Sequence, residues 1–278
     1  MSQSVARGGD PEWARDLRAI SFDFGNTLVS VGRQDLEIVV ERTIRAVAEG
    51  SGPFDRAAFT AAWTEERERQ FAEEVPRMRE VDLAQRVVRV LARMRGMPTP
   101  SRDVPWDDDA AAARSEPAEI DRAVRAYSDA FVGALPVPAE IEPLLERLAR
   151  RYRLGILSNW PLAATIDRYV EAAGWAPYLH AIVVSQRVGT IKPDPRIFRA
   201  AEAALGASGQ AILHVGDDWA ADVVGAKRAG WRAAYLRTRP ADSPLPASRR
   251  GEAMDDPDAD VTPDLELDRL HDLEGALV

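Results

Sequence analysis

Short apolar segments that alternate with helical patterns constrain the fold of this chain most strongly. Four such segments, RLGIL, AIVVS, AILHV and RAAYL, are separated by helical stretches, and the earlier segment AISFDF has the same character. Strands joined through helices pair in parallel with right-handed crossovers. Asp194-Pro195 predicts one helix start, and Gly174 and Gly230 predict two helix ends. The sequence therefore predicts an α/β fold with a three-layer, Rossmann-like parallel sheet as its core.

Residues 30–137 have a different sequence pattern. The alternation of apolar and polar residues that is typical of strands is scarce, and apolar residues recur at helical spacing. These recurring residues are Leu36, Val39, Val40, Ile44, Val47, Val81, Val87, Val88 and Leu91. The pattern predicts an inserted α-helical domain over 30–137, between core segments at 17–29 and 138–278, with an N-terminal extension at 1–16. Within the insertion, residues 104–117 resemble a loop, and we interpret Asp107 to Asp109 as a solvated turn rather than a metal site.

Composition limits the partners of this chain. Its 278 residues carry a formal charge of -9, which argues against a nucleic acid or an anionic membrane as the main partner. No cysteine is present, so disulfides and thiolate chemistry are excluded. No signal-peptide pattern and no long apolar run occurs, which predicts a cytoplasmic protein. A small molecule is the expected partner, and the sequence leaves the oligomeric state open.

Polar residues follow the predicted strands at the points where each strand ends. They are Asp23 and Thr27, then Ser158 and Asn159, then Lys192, and finally Gly216, Asp217, Asp218 and Asp222. Ligands of open parallel sheets bind beyond the carboxyl ends of the strands. We therefore expect these carboxylates, the serine hydroxyl and the lysine amine to meet at one edge of the sheet.

Lysine is rare in this chain, since only two of the 36 cationic residues are lysines. One of them, Lys192, follows a predicted strand. Its compact ammonium binds anions as a point charge, whereas an arginine binds them with a planar guanidinium. The scarcity favours a specific role for Lys192. The other, Lys227, lies in the helical stretch GAKRAG, where we expect a solvated helix face.

The polar residues at the strand ends resemble four motifs of the haloacid dehalogenase-like hydrolase superfamily, in the correct order. The motifs are Asp23 with Thr27, Ser158, Lys192 with Pro193, and Gly216-Asp217 with Asp222. The stretch GDDWAADVVGAKRAG is similar to the fourth motif of the phosphatase branch. The helical insertion matches the cap that such proteins carry between motifs one and two.

The resemblance implies hydrolysis of a small phosphorylated metabolite. Asp23 would attack phosphorus and form an aspartyl-phosphate, with Ser158 and Lys192 also catalytic. Asp23, the Gly25 carbonyl and Asp217 would bind Mg²⁺, and Thr27, Asp218 and Asp222 would support these ligands. Ser158, Asn159 and Lys192 would bind the substrate, although we interpret Asn159 mainly as a structural residue.

One position departs from the pattern of the phosphatases. They place a second Asp two residues after the nucleophile as a general acid and base, whereas this chain has Gly25. The neighbouring Asn26 does not replace it, because an amide does not exchange protons usefully near neutral pH.

The substrate could have a good leaving group, or a cap residue, a water or Asp218 could act as the acid. A phosphate-binding or regulatory protein and a metal-free 2-haloacid dehalogenase are the alternatives, and Asp217 argues against the latter.

Substrate specificity is expected to reside in the helical insertion. Arg33 and Gln34, near its start, are candidates for substrate contacts, and a solvated hinge is the competing interpretation. The sequence does not identify the substrate.

Overall fold

A sheet of parallel strands forms the centre of the computed structural model, which describes residues 11–51, 54–249, 258 and 260–277. Its strands are β1 (Ala19–Phe22), β2 (Arg153–Ser158), β3 (Leu179–Val184), β4 (Ile212–Gly216), β5 (Arg232–Leu236) and β6 (Leu265–Leu267). Their order is β3-β2-β1-β4-β5-β6, and each neighbouring pair is parallel. The predicted α/β fold is confirmed, and β1 lies where the strand order reverses direction.

Helices cover both faces of this sheet, because successive strand side chains point to opposite sides. Ile20 and Phe22 belong to one buried cluster, whereas Ala19 belongs to a second, with Ile197 and Phe198. The α-helices of the two core segments are α6 (Ile141–Ala149), α7 (Ala163–Ala172), α8 (Ser185–Val188), α9 (Pro195–Leu205), α10 (Gly225–Arg228) and α11 (Asp272–Ala276). This arrangement is the three-layer, Rossmann-like core that the sequence predicts.

The local signals for helix ends act as predicted. Asp194 accepts a hydrogen bond from the Arg196 amide at 2.8 Å, and Pro195 occupies the first position of α9. Gly174 and Gly230 have φ angles of +75° and +79°, the left-handed conformation that ends a helix at little cost for glycine. Short-range chemistry therefore sets these boundaries.

Five helices lie between β1 and α6, in the region where the sequence predicts a helical insertion. They are α1 (Arg33–Ser51), α2 (Arg56–Glu74), α3 (Leu83–Met94), α4 (Asp108–Ala112) and α5 (Pro117–Ala134). We call this segment the helical insertion. The domain boundaries at 30 and 137 stay a prediction, and residues 1–10 of the proposed N-terminal extension lie outside the described residues.

Two surface predictions were wrong. The stretch 104–117 contains α4, because Asp107 accepts a hydrogen bond from the Ala110 amide at 2.9 Å and starts that helix. Asp108 is not merely solvated, since it pairs with Arg89 at 2.8 Å. Lys227 is not on a free solvated face either, because its ammonium lies 2.8 Å from Asp264. In each case a distant partner overrides the local pattern.

No helix in the part of the chain that the structure describes combines the length and the apolar character that crossing a bilayer requires.

Candidate active site

The ends of the central strands bring the predicted polar residues together. Phe22 at the end of β1 pairs with Ile156 of β2 and Val215 of β4, so the residues that follow these strands are neighbours. A cavity of about 400 Å³ opens at this edge of the sheet. Of the predicted site residues, it is lined by Asp23, Gly25, Ser158, Asn159, Lys192, Asp217, Asp218 and Asp222.

The turn after β1 is held by its own side chains. Asn26 adopts a φ of +60°, a left-handed conformation that Asn tolerates better than most residues. Its carboxamide oxygen accepts a hydrogen bond from the Val31 amide at 3.1 Å. Phe24 points away from the cavity into a buried aromatic cluster with Trp160 and Tyr169. These contacts fix Asp23 at the cavity wall.

Lys192 is the buried cation of the site, with 3 % of its surface exposed. Its ammonium donates to Asp23 Oδ1 at 2.8 Å, to Asp222 Oδ1 at 2.6 Å and to the Leu157 carbonyl at 2.8 Å. Burial alone would lower the pKa of Lys192, but the attraction of Asp222 and Asp23 outweighs it and raises that pKa. Lys192 is therefore held as a charged group against Asp23.

Asn159 positions the backbone of Lys192. Its side-chain oxygen accepts a hydrogen bond from the Lys192 amide at 2.7 Å, and its side-chain nitrogen donates to the Lys192 carbonyl at 3.1 Å. These bonds agree with the structural interpretation of Asn159, and the substrate-binding role stays a prediction.

Asp222 has partners on both of its carboxylate oxygens. Besides Lys192, it contacts His214 Nε2 at 3.0 Å and accepts a hydrogen bond from the Asp218 amide at 2.9 Å. Burial tends to raise the pKa of Asp222, but the Lys192 charge and the His214 contact lower it overall. A Cβ atom at Gly216 would lie 2.2 Å from the Asp222 carboxyl, so the glycine before Asp217 makes room for this carboxylate.

Asp217 lies among other negative charges. Burial and the nearby Asp23 and Asp222 raise its pKa to about 8, and Arg239 opposes this rise. The Thr27 hydroxyl lies 3.5 Å from Asp217 Oδ1, and Arg239 Nη1 lies 3.2 Å from Asp217 Oδ2. Burial beside two further carboxylates thus favours positive charge next to Asp217, of which Arg239 supplies a part.

Three carboxylates are close enough to share a metal ion. Asp23, Asp217 and Asp222 each offer an oxygen within 4.8 Å of the other two, and no further cluster of this kind occurs in the described parts of the chain. Hard carboxylate oxygens are the ligands that Mg²⁺ prefers. Because Lys192 and His214 already engage Asp222, the donor set fits a magnesium ion held mainly by Asp23 and Asp217.

Gly25 faces a filled space. A Cβ atom at this position would lie 2.7 Å from Leu245 Cδ1 and 3.4 Å from Trp160 Cζ3. Leu245 belongs to a segment after β5 that we call the covering loop, residues 237–249. The substitution of the usual Asp by glycine therefore accompanies a leucine that occupies the adjacent space.

The covering loop is attached to the site by several polar contacts. Ser243 accepts a hydrogen bond from the Asn26 carboxamide at 3.0 Å, and the Ser248 hydroxyl donates to Asp218 Oδ1 at 2.7 Å. Arg239 pairs with Asp217, as described above. These contacts could not be predicted from the sequence, because the loop has no periodic pattern and Arg239 is one of many arginines.

The helical insertion forms the opposite wall of the cavity. Arg67, Glu80, Arg86 and Tyr127 line it there. Arg33 and Gln34, the residues proposed from the sequence, are exposed, and neither is among the described residues that line this cavity. Their exposure agrees with the competing interpretation, a solvated hinge, whereas Leu36 on the next turn of α1 lines the cavity.

Comparison with known proteins identifies the family. A model of the haloacid dehalogenase-like hydrolases matches residues 17–230. This chain belongs to the haloacid dehalogenase-like hydrolase family. The match includes all four motifs of this hydrolase and its helical insertion.

Curated relatives of this haloacid dehalogenase-like hydrolase carry phosphatase names. Glyceraldehyde 3-phosphate phosphatase of Methanopyrus kandleri is 29% identical over 164 residues, covering 58% of this chain and 65% of that protein. Phosphoserine phosphatase of Thermus thermophilus is 33% identical over 139 residues, covering 50% of each. The chain thus spans between half and two thirds of the length of these relatives.

Solved structures share the fold along nearly the whole chain. A 2-haloacid dehalogenase from Pseudomonas syringae pv. Tomato DC3000 has a TM-score of 0.60 and 23% identity, covering 94% of this chain and 98% of that one. The HAD-hydrolase YfnB from Bacillus subtilis has a TM-score of 0.56 and 18% identity, covering 94% and 98%. These similarities support the fold of the hydrolase and do not separate phosphatases from dehalogenases.

Proposed function

We propose that this hydrolase is a Mg²⁺-dependent phosphohydrolase that acts on a small phosphorylated metabolite through an aspartyl-phosphate at Asp23. The observation that carries the proposal is the contact of Asp23 with Lys192 at 2.8 Å, beside the buried carboxylate of Asp217 and on the wall of one cavity. The phosphatase names of the curated relatives support the same chemistry.

The first step requires a nucleophile and a site that tolerates a dianionic phosphate. The free carboxylate oxygen of Asp23 attacks phosphorus, and the ester oxygen leaves with the alcohol or phenol. Lys192 offsets the negative charge of the nucleophile and of the phosphoryl oxygens. Ser158, buried at the end of β2, donates its hydroxyl to a phosphoryl oxygen, and Thr27 keeps Asp217 in place.

The second step returns the enzyme to its starting state. A water molecule attacks the phosphorus of the aspartyl-phosphate, the bond to Asp23 breaks, and inorganic phosphate leaves. Asp23 and Asp217, with the Gly25 carbonyl, would hold Mg²⁺. A bound Mg²⁺ supplies positive charge that stabilises the transferred phosphoryl group.

A residue other than Gly25 must donate the proton to the leaving group, because glycine has no side chain. Glu80 is the carboxyl side chain of the helical insertion among the cavity-lining residues, and burial raises its pKa although Ser185 and the Val81 amide donate hydrogen bonds to it. Asp218 also lines the cavity and burial also raises its pKa, but it accepts three hydrogen bonds, from the Ala221 amide and from the amide and the hydroxyl of Ser248, against two for Glu80. We propose Glu80 as the general acid.

The role of Glu80 predicts a loss that depends on the leaving group. General acid catalysis is worth about 10² to 10⁴ in rate, and a poor leaving group needs it most. We expect Glu80→Gln to lower kcat for alkyl phosphates by at least about 10² while changing kcat for 4-nitrophenyl phosphate little. Asp218→Asn serves as the matched comparison. A loss selective for alkyl phosphates in Asp218→Asn alone would assign the acid to Asp218 instead.

A metal-free dehalogenase is the second candidate, and Arg239 is the observation that favours it. The guanidinium of Arg239 balances the charge of Asp217 at 3.2 Å, so Asp217 is a weaker argument against a metal-free site than the sequence suggests. In that reaction Asp23 would displace the halide from a 2-haloacid, and water would hydrolyse the resulting ester. A phosphate-binding protein with little turnover is the third candidate.

The three candidates respond differently to metal removal. A phosphohydrolase of the proposed type releases phosphate from 4-nitrophenyl phosphate with Mg²⁺ and stops when EDTA removes the metal. A dehalogenase releases halide from 2-haloacids in EDTA. Phosphate release that persists in EDTA would contradict the proposed metal dependence, and halide release without any phosphatase activity would replace the proposal. Tight phosphate binding without turnover would favour the binding protein.

A further inference from the structure

Two arginines of the helical insertion line the active-site cavity and have no role in the proposed reaction. Arg86 lies near the start of α3 with 3 % of its surface exposed, and Arg67 lies half-buried in α2. Tyr127 of α5 lines the cavity beside them. The same three residues also line a second cavity of about 480 Å³ between α1 and α2. They therefore lie between the active-site cavity and this second cavity.

Neither guanidinium has an anionic partner among the residues that the structure describes. Arg86 Nε donates to the Gln70 carboxamide oxygen at 3.0 Å, and Arg67 Nη2 donates to the Pro244 carbonyl at 2.9 Å. No described carboxylate lies within 4.0 Å of a nitrogen of either side chain. Glu80, which attracts Arg86 from a greater distance, places its oxygens against Ser185 and the Val81 amide.

Other arginines on the same two helices show what the ordinary arrangement is. Arg89 pairs with Asp108 at 2.8 Å, and Arg69 pairs with Glu73 at 2.8 Å. Arg93 pairs with Glu66 at 3.1 Å. Buried charges in proteins are normally paired in this way, because an unpaired buried charge loses its hydration and gains no ionic interaction that offsets this cost. Arg67 and Arg86 are the exceptions, and both are on the cavity.

The electrostatics of the two side chains agree with a missing anion. Burial lowers the pKa of Arg86 to about 10, against the opposing effects of Tyr127 and, more weakly, of Glu80 and Asp82, and the nearby Arg67 lowers this pKa further. Burial likewise lowers the pKa of Arg67. Two like charges therefore lie near each other in a desolvated place.

Aromatic rings hold both guanidinium groups in position. Arg67 lies over the ring of Phe71 at 4.9 Å, and Arg86 lies over the ring of Trp63 at 5.5 Å. A guanidinium that stacks on a ring by its face keeps N–H groups at its edge for hydrogen bonds to an oxyanion. The two arginines are thus preorganised donors.

We propose that Arg67 and Arg86 form a second anion subsite, which selects substrates that carry an anionic group in addition to the phosphate that reacts at Asp23. The inference rests on the proposed function, because it places the reacting phosphate at the sheet edge and the second anion at the helical insertion. Apolar side chains that line the same cavity include Leu36, Phe71, Val81, Trp160 and Leu245. The preferred substrate class is therefore a phosphate ester with an apolar body and a second oxyanion, either a carboxylate or a phosphate.

Non-hydrolysable phosphonates test the subsite without turnover. The probes are benzylphosphonate, 4-(phosphonomethyl)benzoate and 1,4-xylylenediphosphonate, and their dissociation constants are measured by calorimetry on the full chain with Mg²⁺. One charge-assisted contact pair corresponds to about 10-fold or more in affinity. We expect at least one of the two doubly anionic probes to bind about 10-fold more tightly than benzylphosphonate, and the better one identifies the second anion as a carboxylate or a phosphate.

Variants assign that preference to the two arginines. Arg67→Gln and Arg86→Gln should each reduce it to less than about 3-fold, whereas Arg45→Gln, an exposed charge on α1, should leave it intact. Arg67 is half-buried, so its variant serves even if Arg86→Gln does not fold. Equal binding of the three probes, or a preference that persists in the folded arginine variants, would overturn the subsite.

Failure of the subsite and failure of the proposed function give different results. If the protein hydrolyses phenyl phosphate but binds the three phosphonates equally, the function stands and the subsite falls. If it prefers a doubly anionic phosphonate but hydrolyses no phosphate ester, the subsite stands and the function falls. If it neither hydrolyses a phosphate ester nor binds any of the phosphonates, both are wrong.

Discussion

Asp23→Asn should abolish phosphate ester hydrolysis while leaving the fold intact. The change removes the negative charge that attacks phosphorus but keeps the size of the side chain and a hydrogen-bond acceptor for Lys192. Loss of a nucleophile removes the whole covalent route, so we expect kcat to fall by at least about 10⁴. Phosphate release from 4-nitrophenyl phosphate with saturating Mg²⁺ measures the effect.

A matched variant separates this effect from a general change of charge. Asp194→Asn alters an aspartate two residues beyond Lys192, which caps α9 and is not among the residues lining the cavity. Asparagine caps helices about as well as aspartate, so this variant should retain nearly full activity. Comparable losses in both variants would indicate that charge near Lys192 matters, rather than nucleophilic attack by Asp23.

Gly25→Asp should restore a general acid and base only when Leu245 is also replaced by a smaller residue. A Cβ atom at position 25 already approaches Leu245 Cδ1 to 2.7 Å, and a carboxyl group adds three more heavy atoms in the same direction. The leucine end can rotate enough for a methyl group, but Trp160 limits the space on the other side. We therefore expect little gain from Gly25→Asp alone. In the Glu80→Gln background, which lacks the proposed acid, we expect a gain of about 10² to 10⁴ in alkyl phosphate hydrolysis from Gly25→Asp with Leu245→Ala.

Two further variants complete this experiment. Leu245→Ala alone should not raise the rate with alkyl phosphates, because it opens space without adding a proton donor. Gly25→Ala should fold, since Leu245 can move away from a single methyl group. A large gain from Gly25→Asp alone would show that Leu245 is no obstacle, and no gain from the double variant would show that proton transfer does not limit the rate.

The site residues at the edge of the sheet could be predicted from the sequence. Their positions follow from the order of the strands and from the residue at which each strand ends. Asp23, Ser158 and Asp217 end or follow strands that pair side by side, so the parallel sheet alone brings them together. Lys192 stood out through the scarcity of lysine, and the structure places its ammonium on Asp23 and Asp222. Local rules were sufficient for this half of the site.

The opposite wall could not be predicted, because its residues come from contacts between distant segments. Leu245 and Arg239 reach the site through an irregular loop that has no periodicity to indicate its path. Arg67 and Arg86 are two among many arginines on amphipathic helices, and only the packed structure distinguishes them from paired ones such as Arg89. The two interpretations of Arg33 stayed open in the sequence for the same reason, since a position near the start of the insertion does not determine which helix face meets the sheet.

Trapping of the phosphorylated enzyme tests the central claim most directly. The protein is mixed with Mg²⁺ and 4-nitrophenyl phosphate, quenched in acid during turnover, digested and analysed by mass spectrometry. We expect phosphate on the peptide that contains Asp23, released by hydroxylamine as an acyl phosphate is, and absent from Asp23→Asn. Phosphate on a different residue such as Ser158, or undiminished turnover in Asp23→Asn, would contradict the assignment of Asp23 as the nucleophile.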